Sequence, residues 1–469
     1  MKKPSANYLV AIFAGAAFME LFDGSVILTA LPAMAQTFGV SPLVMGIGIT
    51  GYLLALAAVL PASGWIADRY GTRRVFMLAV ALFGLASLAC GLADSLGTFM
   101  LARVAQGVAG ALMSPVARIT LLKELDRRTM VSAMNIGIMA GLMGPTIGPA
   151  VGGAIATWWT WRWIFFINVP IAAGALLATA TRYPNLREPE PRPFDWRGAL
   201  LNALAMAGVI YGLQLLAEAV VDWRVGVAVT VAGALVGLVA LRHARVHPTP
   251  IMPLDALRVR TFRVSAVNGL FARLSVFGPV FVMPLLLQLG LGMSAFLSGV
   301  YMFVTAGADM LAKLWIVGSL RRHGHRRVLV WSAGLYPLFI VGLIFVTAGT
   351  PVWMLVALTV YGGAVRSFQM SAMNTLSFSD LPTELSSGGS TLLSAVQQMS
   401  QAVSVAIASV SIHLVQIALG HGGQPLQRRD FLLPLALAAL CGWGTALSYR
   451  TLAEDAGHKA SGYVARHRR

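Results

Sequence analysis

Residues 64–74 read GWIADRYGTRR, a short charged turn set between two apolar runs, 45–66 and 75–97. Gly64 lets neighbouring helices approach closely, and Gly71 permits the chain to reverse. Asp68 is placed to pair with Arg69 or Arg74, or to meet the positive end of a neighbouring helix. A related stretch, RRHGHRR at 321–327, follows the second apolar run of a later block. There Gly324, Arg326 and Arg327 stand where Gly71, Arg73 and Arg74 stand in the first turn. One turn at equivalent places in two blocks points to a duplicated chain, and two six-helix halves are a layout of secondary transporters. Arg321 stands where the first turn carries its acid, so the second turn lacks that carboxylate.

The rest of the chain agrees. Of 469 residues, 57% are hydrophobic and 11% charged, against about 25% charged in an average soluble domain. Fourteen apolar runs long enough to span a bilayer recur from 8–31 to 431–449, with no soluble domain between them. The expected fold is therefore an all-α polytopic membrane protein of 14 spans. Residues 1–197 form an N-terminal six-helix bundle and 198–245 an inserted two-helix hairpin with linkers. Residues 246–469 form a C-terminal six-helix bundle and cytoplasmic tail. The net charge of +17 is carried mostly by loops on one side. Only Arg162, Arg224, Arg428 and Arg429 fall opposite, an asymmetry that places both termini in the cytoplasm. The basic balance thus reflects topology and anionic lipid, not nucleic acid. Cys90 and Cys441 both lie in apolar runs, which argues against a disulfide or a metal framework. The opening MKK with its apolar run reads as a retained first helix, because Glu20 and Asp23 interrupt it.

Several stretches carry chemistry. Arg103, Gly107, Gly110, Ser114 and Arg118 share one face of the fourth run. Gly137, Gly141, Gly144, Gly148 and Gly152 line one face of the fifth, where Pro145 and Pro149 loosen the backbone. GWIADRYGTRR, with Gly64, Asp68, Arg69, Gly71 and Arg74, resembles the cytoplasmic turn of the major facilitator superfamily. The resemblance implies a latch between the two halves. RVAQGVAGA resembles that superfamily's fourth-span motif, which implies that Arg103 takes part in proton coupling; the alternative is an arginine reaching for the outer interface. Gly144-Pro145-x-x-Gly148-Pro149-x-x-Gly152 looks like the motif of its antiporters. DGSVILTALP at 23–32, WRWIFFINVP at 161–170 and FDWRG at 194–198 resemble the fourteen-helix drug:proton antiporters, and MNTLSFSDLP at 373–382 the MdtD-like multidrug resistance proteins.

Asp23 lies roughly 13 Å below the outer end of its run and Arg103 roughly 7 Å below the same surface, depths compatible with contact. Desolvation and a neighbouring arginine act in opposite directions on such an acid, which suits it to exchange a proton. Glu20, one turn away, is a second candidate proton site or a cargo-binding charge. A packing pair between Asp23 and Arg103 is the other reading. In the second half, Asp309 and Lys313 share a face. Arg273 and Arg366 have no partner nearby in sequence, and Gln397 and Gln401 belong to a polar stripe suited to a wetted wall. These residues form the expected cargo cavity. Its surplus of unpaired cations favours anionic or zwitterionic cargo over lipophilic cations. No Walker A, HExxH or Gly-x-Ser-x-Gly pattern occurs, so an enzyme, a cofactor and a bound metal are not expected. The expected function is proton-coupled antiport that exports small molecules of the multidrug type across the bacterial inner membrane, by a monomer. The alternative is proton-coupled export of a specific organic anion or a metal-carboxylate chelate.

Overall fold

The computed structural model describes residues 5–125, 127–188, 193–216, 223–420 and 424–458, and among them every regular element is helical. Local sequence explains where the helices begin. Ser5 caps α1 (Ala6–Val26) by accepting from the Tyr8 amide, since the first amides of a helix lack intrahelical partners. Gly46 leads into α2 (Ile47–Val59), which is apolar on all sides. A short helix, Ser63–Tyr70, ends at Gly71, whose φ of 92° is costly for any residue with a Cβ. There α3 (Thr72–Leu92) starts. Ser95 and Thr98 form a reciprocal cap on α4 (Leu96–Glu124).

α5 (Arg127–Trp158) contains Pro145 and Pro149, and α6 (Asn168–Arg182) follows a short turn of helix at Trp163–Phe166. α7 (Trp196–Leu215) and α8 (Trp223–Val246) pair closely. A methyl at Gly208 would stand 2.7 Å from the Gly233 Cα, so these glycines let the two backbones touch. α9 (Gly269–Leu285) is flanked by π-helical turns at Val264–Asn268 and Leu286–Gly290. α10 (Ala295–Phe345) is two rods in one, because Gly324 inside it has φ 75° and ψ 163°. α11 (Val352–Ser379), α12 (Thr383–Ala418) and α13 (Leu432–Tyr449) complete the chain.

Twelve helical stretches among the described residues are long and apolar enough to cross a membrane. The stretch Ala295–Phe345, bent at Gly324, counts once among them, although 51 residues exceed one crossing more than twofold. The run at 351–375 folds as α11, which lies outside the twelve. The described residues fall into two compact units. One draws on Met1–Gly212, Val227–Ile251 and Ser294–Gly299, the other on Leu213–Gly226, Met252–Met293 and Val300–Arg469. In the first unit α1 packs along α5, and α4 packs against α2 and α3; in the second, α9 packs against α12 and α13.

Candidate functional site

Asp23 and Arg103, eighty residues apart in sequence, meet inside the first unit. Arg103 Nη1 donates to Asp23 Oδ2 at 2.6 Å, with both side chains fully buried. The other carboxylate oxygen accepts from Gln106 Nε2 and from Asn168 Nδ2, each at 2.8 Å. Gln106 also accepts from Arg103 at 2.6 Å and donates to Ser87 at 2.7 Å. Arg103 Nε donates to the Gly48 carbonyl at 3.2 Å, and the guanidinium lies 4.4 Å over the Tyr52 ring. Helices α1, α2, α3, α4 and α6 therefore each contribute to a closed polar cluster, α2 and α4 with two groups apiece. Such a cluster is stable only because nearly every polar atom has a partner. The depths read from sequence anticipated the Asp23–Arg103 contact. Gln106 and Asn168 were missed, although Gln106 lies three residues past Arg103 and Asn168 interrupts the apolar WRWIFFINVP.

Glu20 lies one helical turn before Asp23 and outside this cluster. It is half-buried, no ion pair reaches it among the described residues, and Ser114 of α4 lies beside it. The small stripe on α4 explains how it fits. The Glu20 side chain and the Tyr52 hydroxyl close over Gly110, where an added methyl would lie 3.7 Å from Glu20 Cγ. Two neighbouring acids on one helix thus have different surroundings: Asp23 is held by three donors, and Glu20 has no cation to hold it.

The glycine face of α5 lies directly on α1. A methyl at Gly144 would stand 2.7 Å from the Phe22 amide nitrogen. At Gly148 it would overlap Ser25 Oγ, and at Gly152 the Val26 carbonyl. Ser25 of α1 and Thr29, in the 3-10 turn that continues it (Ile27–Thr29), donate to the carbonyls of Gly144 and Pro149, at 3.2 and 3.0 Å. Pro145 stands beside Gly144 on this helix.

The turn at 64–74 is tied down by residues the sequence did not suggest. Asp68 pairs neither with Arg69 nor with Arg74; its partner is Lys123 at the end of α4, at 3.0 Å. Lys123 also holds Glu188 at 2.6 Å, and the Glu188 amide donates to the Asp68 carbonyl at 3.0 Å. Thr72 exchanges bonds with Leu186 and Pro184. A Cβ on Gly71 would collide with Asn185. Gly64, by contrast, faces Ile119, whose Cδ1 would lie an ordinary 3.9 Å from an added methyl. Burial lowers the affinity of Lys123 for its proton, but the two carboxylates outweigh it, and the pKa is raised.

In the second unit Asp309 bridges two cations, Lys313 at 2.7 Å and Arg366 at 2.9 Å. Arg366, which has no partner nearby in sequence, therefore has one 57 residues away in α10. The three side chains remain partly exposed. Arg273 is fully buried instead. Its Nη1 donates to the Ser265 and Ala266 carbonyls of the π-helical turn, at 3.1 and 3.5 Å. No carboxylate pairs with it among the described residues, and Nε and Nη2 have no partner there. Arg366 is thus a paired cation, and Arg273 a buried one bonded to backbone carbonyls. Gln397 and Gln401 of α12 are half-buried.

Asp195, in the FDWRG stretch, was not singled out for chemistry. It accepts from the Gly198 amide at 2.8 Å, capping α7, and from the Ile251 amide at 3.1 Å. His243 of α8 lies 2.7 Å away, and the His247 ring sits tilted beside it, with centroids 5.0 Å apart. Burial raises the Asp195 pKa, but these donors together hold it below the ordinary carboxylate value. The cluster ties the two ends of the α7–α8 hairpin together.

Comparison with known proteins decides the family. The model of the Major Facilitator Superfamily matches residues 13–405. The chain belongs to that superfamily. It is 38% identical over 420 residues to the multidrug resistance protein MdtD of Escherichia coli (strain K12), covering 87% of each chain. The protein of the same name from Shigella boydii serotype 18 matches to the same extent. Among solved structures, the fold is similar to that of the POT family transporter PepTSo, with a TM-score of 0.69 at 14% identity over 96% of this chain and 99% of that one. The D-xylose-proton symporter gives 0.63 at 15% identity over 96% and 98%. Members of this superfamily are membrane transporters and not enzymes, and this chain is a multi-pass transporter of that fold.

Proposed function

We propose that the chain is a proton-coupled antiporter that exports small molecules of the multidrug type from the bacterial cytoplasm by alternating access. It works as a monomer in the inner membrane, with both termini inside. The kinship with MdtD supports the cargo class. The observation that carries the coupling is the contrast between Glu20 and Asp23. A half-buried carboxylate without a cation is costly when charged. A proton on Glu20 removes that cost, so whichever conformation keeps Glu20 dry is favoured by protonation. A ligand shifts a conformational equilibrium only through such a difference between states. Asp23, Gln106 and Asn168 fix Arg103 one turn away and keep its charge from neutralising Glu20.

Glu20→Gln tests the reading. In proteoliposomes with an imposed pH gradient, cargo addition to the native chain releases protons and the variant shows no such flux. A Glu20→Gln protein that still couples dye export to the gradient sinks the assignment.

A second cargo reading keeps one support. Lys313 and Arg366 around the single Asp309 leave one net positive charge on a partly exposed surface. An organic anion or a metal-carboxylate chelate suits that charge better than a lipophilic cation. Binding of a tricarboxylate against binding of ethidium to purified protein separates the two.

A further inference from the structure

A recess of about 470 Å³ opens at the Gly324 end of the second rod of α10, where it meets the last turn of α13. Three guanidiniums, from Arg326, Arg327 and Arg450, line it together with His323. The one carboxylate in its wall among the described residues is Glu454, which is 3.2 Å from Arg326. Arg327 and Arg450 have no carboxylate partner among the described residues. The recess thus holds two positive charges more than negative ones. Its remaining wall is apolar, formed by Val330 and Trp331.

That apolar wall does not stop at the recess. Trp331, Leu335, Leu338 and Phe345 are all exposed and lie within one narrow arc of α10. Leu440, Trp443 and Leu447 form a matching exposed arc on α13. Trp443 Nε1 donates to the Gly334 carbonyl at 3.2 Å, so the two arcs run side by side. A cationic cup continuous with a long apolar seam matches one kind of molecule, which carries a phosphate at one end and hydrocarbon chains at the other. A soluble phosphate has no use for the seam, and a neutral lipid has none for the arginines. Indole rings at the head-group level also suit Trp331.

We propose that this recess binds the phosphate of an anionic phospholipid, with an acyl chain lying in the seam between α10 and α13. Arg327 and Arg450 are the principal phosphate donors, because Arg326 is shared with Glu454. Guanidiniums suit this task, since their forked donors match phosphate oxygens. Arg321, standing where the first turn carries its acid, keeps the neighbourhood free of a competing carboxylate.

The test uses the full chain in detergent, titrated with phosphatidylglycerol, with phosphatidylcholine and with inorganic phosphate. Bound lipid is counted by native mass spectrometry. Phosphatidylglycerol is expected to bind at least about tenfold more tightly than phosphatidylcholine. The double substitution Arg327→Gln with Arg450→Gln should remove that preference, and Arg327→Lys with Arg450→Lys should retain most of it. A Gln variant that keeps the tenfold preference overturns the proposal. Inorganic phosphate at millimolar concentration displacing the lipid completely also overturns it, by making the recess a solute site. If the Gln pair fails to fold, Trp331→Ala with Leu335→Asn on the seam serves in its place: it should weaken phosphatidylglycerol binding itself several-fold, and an undiminished affinity overturns the proposal.

Discussion

Arg103 and Asp23 share a 2.6 Å ion pair from which solvent is wholly excluded. Removing one member of such a pair leaves an uncompensated charge in the interior, which costs about 3–5 kcal/mol. Asp23→Ala is therefore expected to lower the thermal midpoint of the detergent-solubilised protein sharply. Asp23→Asn keeps an acceptor for Gln106 or Asn168 and should fall between. An Asp23→Ala midpoint equal to that of the native chain would show that the pair contributes nothing to folding.

Gly148 and Gly152 press on the backbone of α1, and overpacking at such a contact costs about 1–3 kcal/mol. Gly152→Ala should destabilise by that amount, whereas Gly174→Ala, which meets open space, should not. Thermal scans of the two variants side by side check this. Equal midpoints would mean that α1 yields to the added methyl.

Lys123 between Asp68 and Glu188 is a partly exposed pairing, so its loss should cost at most about 1 kcal/mol. Its effect should appear in conformation. Lys123→Ala is expected to shift the distance distribution between spin labels placed in the first unit's turn and the 182–188 segment. Because the lysine pKa is raised, the pairing is fully present below the ordinary lysine value. It is lost only as pH rises through the raised one. The distances should therefore hold constant from neutral pH up to the lysine range and broaden above it. Broadening already near neutrality would contradict the pairing.

Asp195 caps α7 and binds His243, with its pKa held below the ordinary carboxylate value. Its contribution is present above that ordinary value and disappears as pH falls through the lowered one. Loss of a cap costs about 0.5–2 kcal/mol. Asp195→Ala should thus speed hydrogen exchange at the Gly198 amide at neutral pH, and Asp195→Asn should do so less. Unchanged exchange in the Ala variant would dissociate Asp195 from the cap.

How far the sequence reached depends on the distance between partners and on their chemistry. Long apolar runs declare a membrane fold because their length and composition have no other use. The Asp23–Arg103 contact was legible from depth alone, since two opposite charges in hydrocarbon must find each other. Asp68 was harder: Arg69 and Arg74 are nearer in sequence, but their side chains leave the turn, whereas Lys123 comes up from another helix. Arg366 looked unpaired because its acid lies 57 residues earlier. Gln106 and Asn168 gave almost no signal, since neutral amides in an apolar run are inexpensive enough to pass for packing. The carbonyls that Arg273 reaches belong to a π-helical turn that no pattern of side chains announces.

The glycine contact between α1 and α5 has a mechanical meaning. Two rods separated by side chains can slip past each other by rotamer changes, but rods in backbone contact, pinned by Ser25 and Thr29, have no such slack. They behave as a single stiff plank. Any tilt of α5 would therefore reach Glu20 undiminished, and under the proposed coupling the acid would be carried between wet and dry surroundings by a helix it does not belong to.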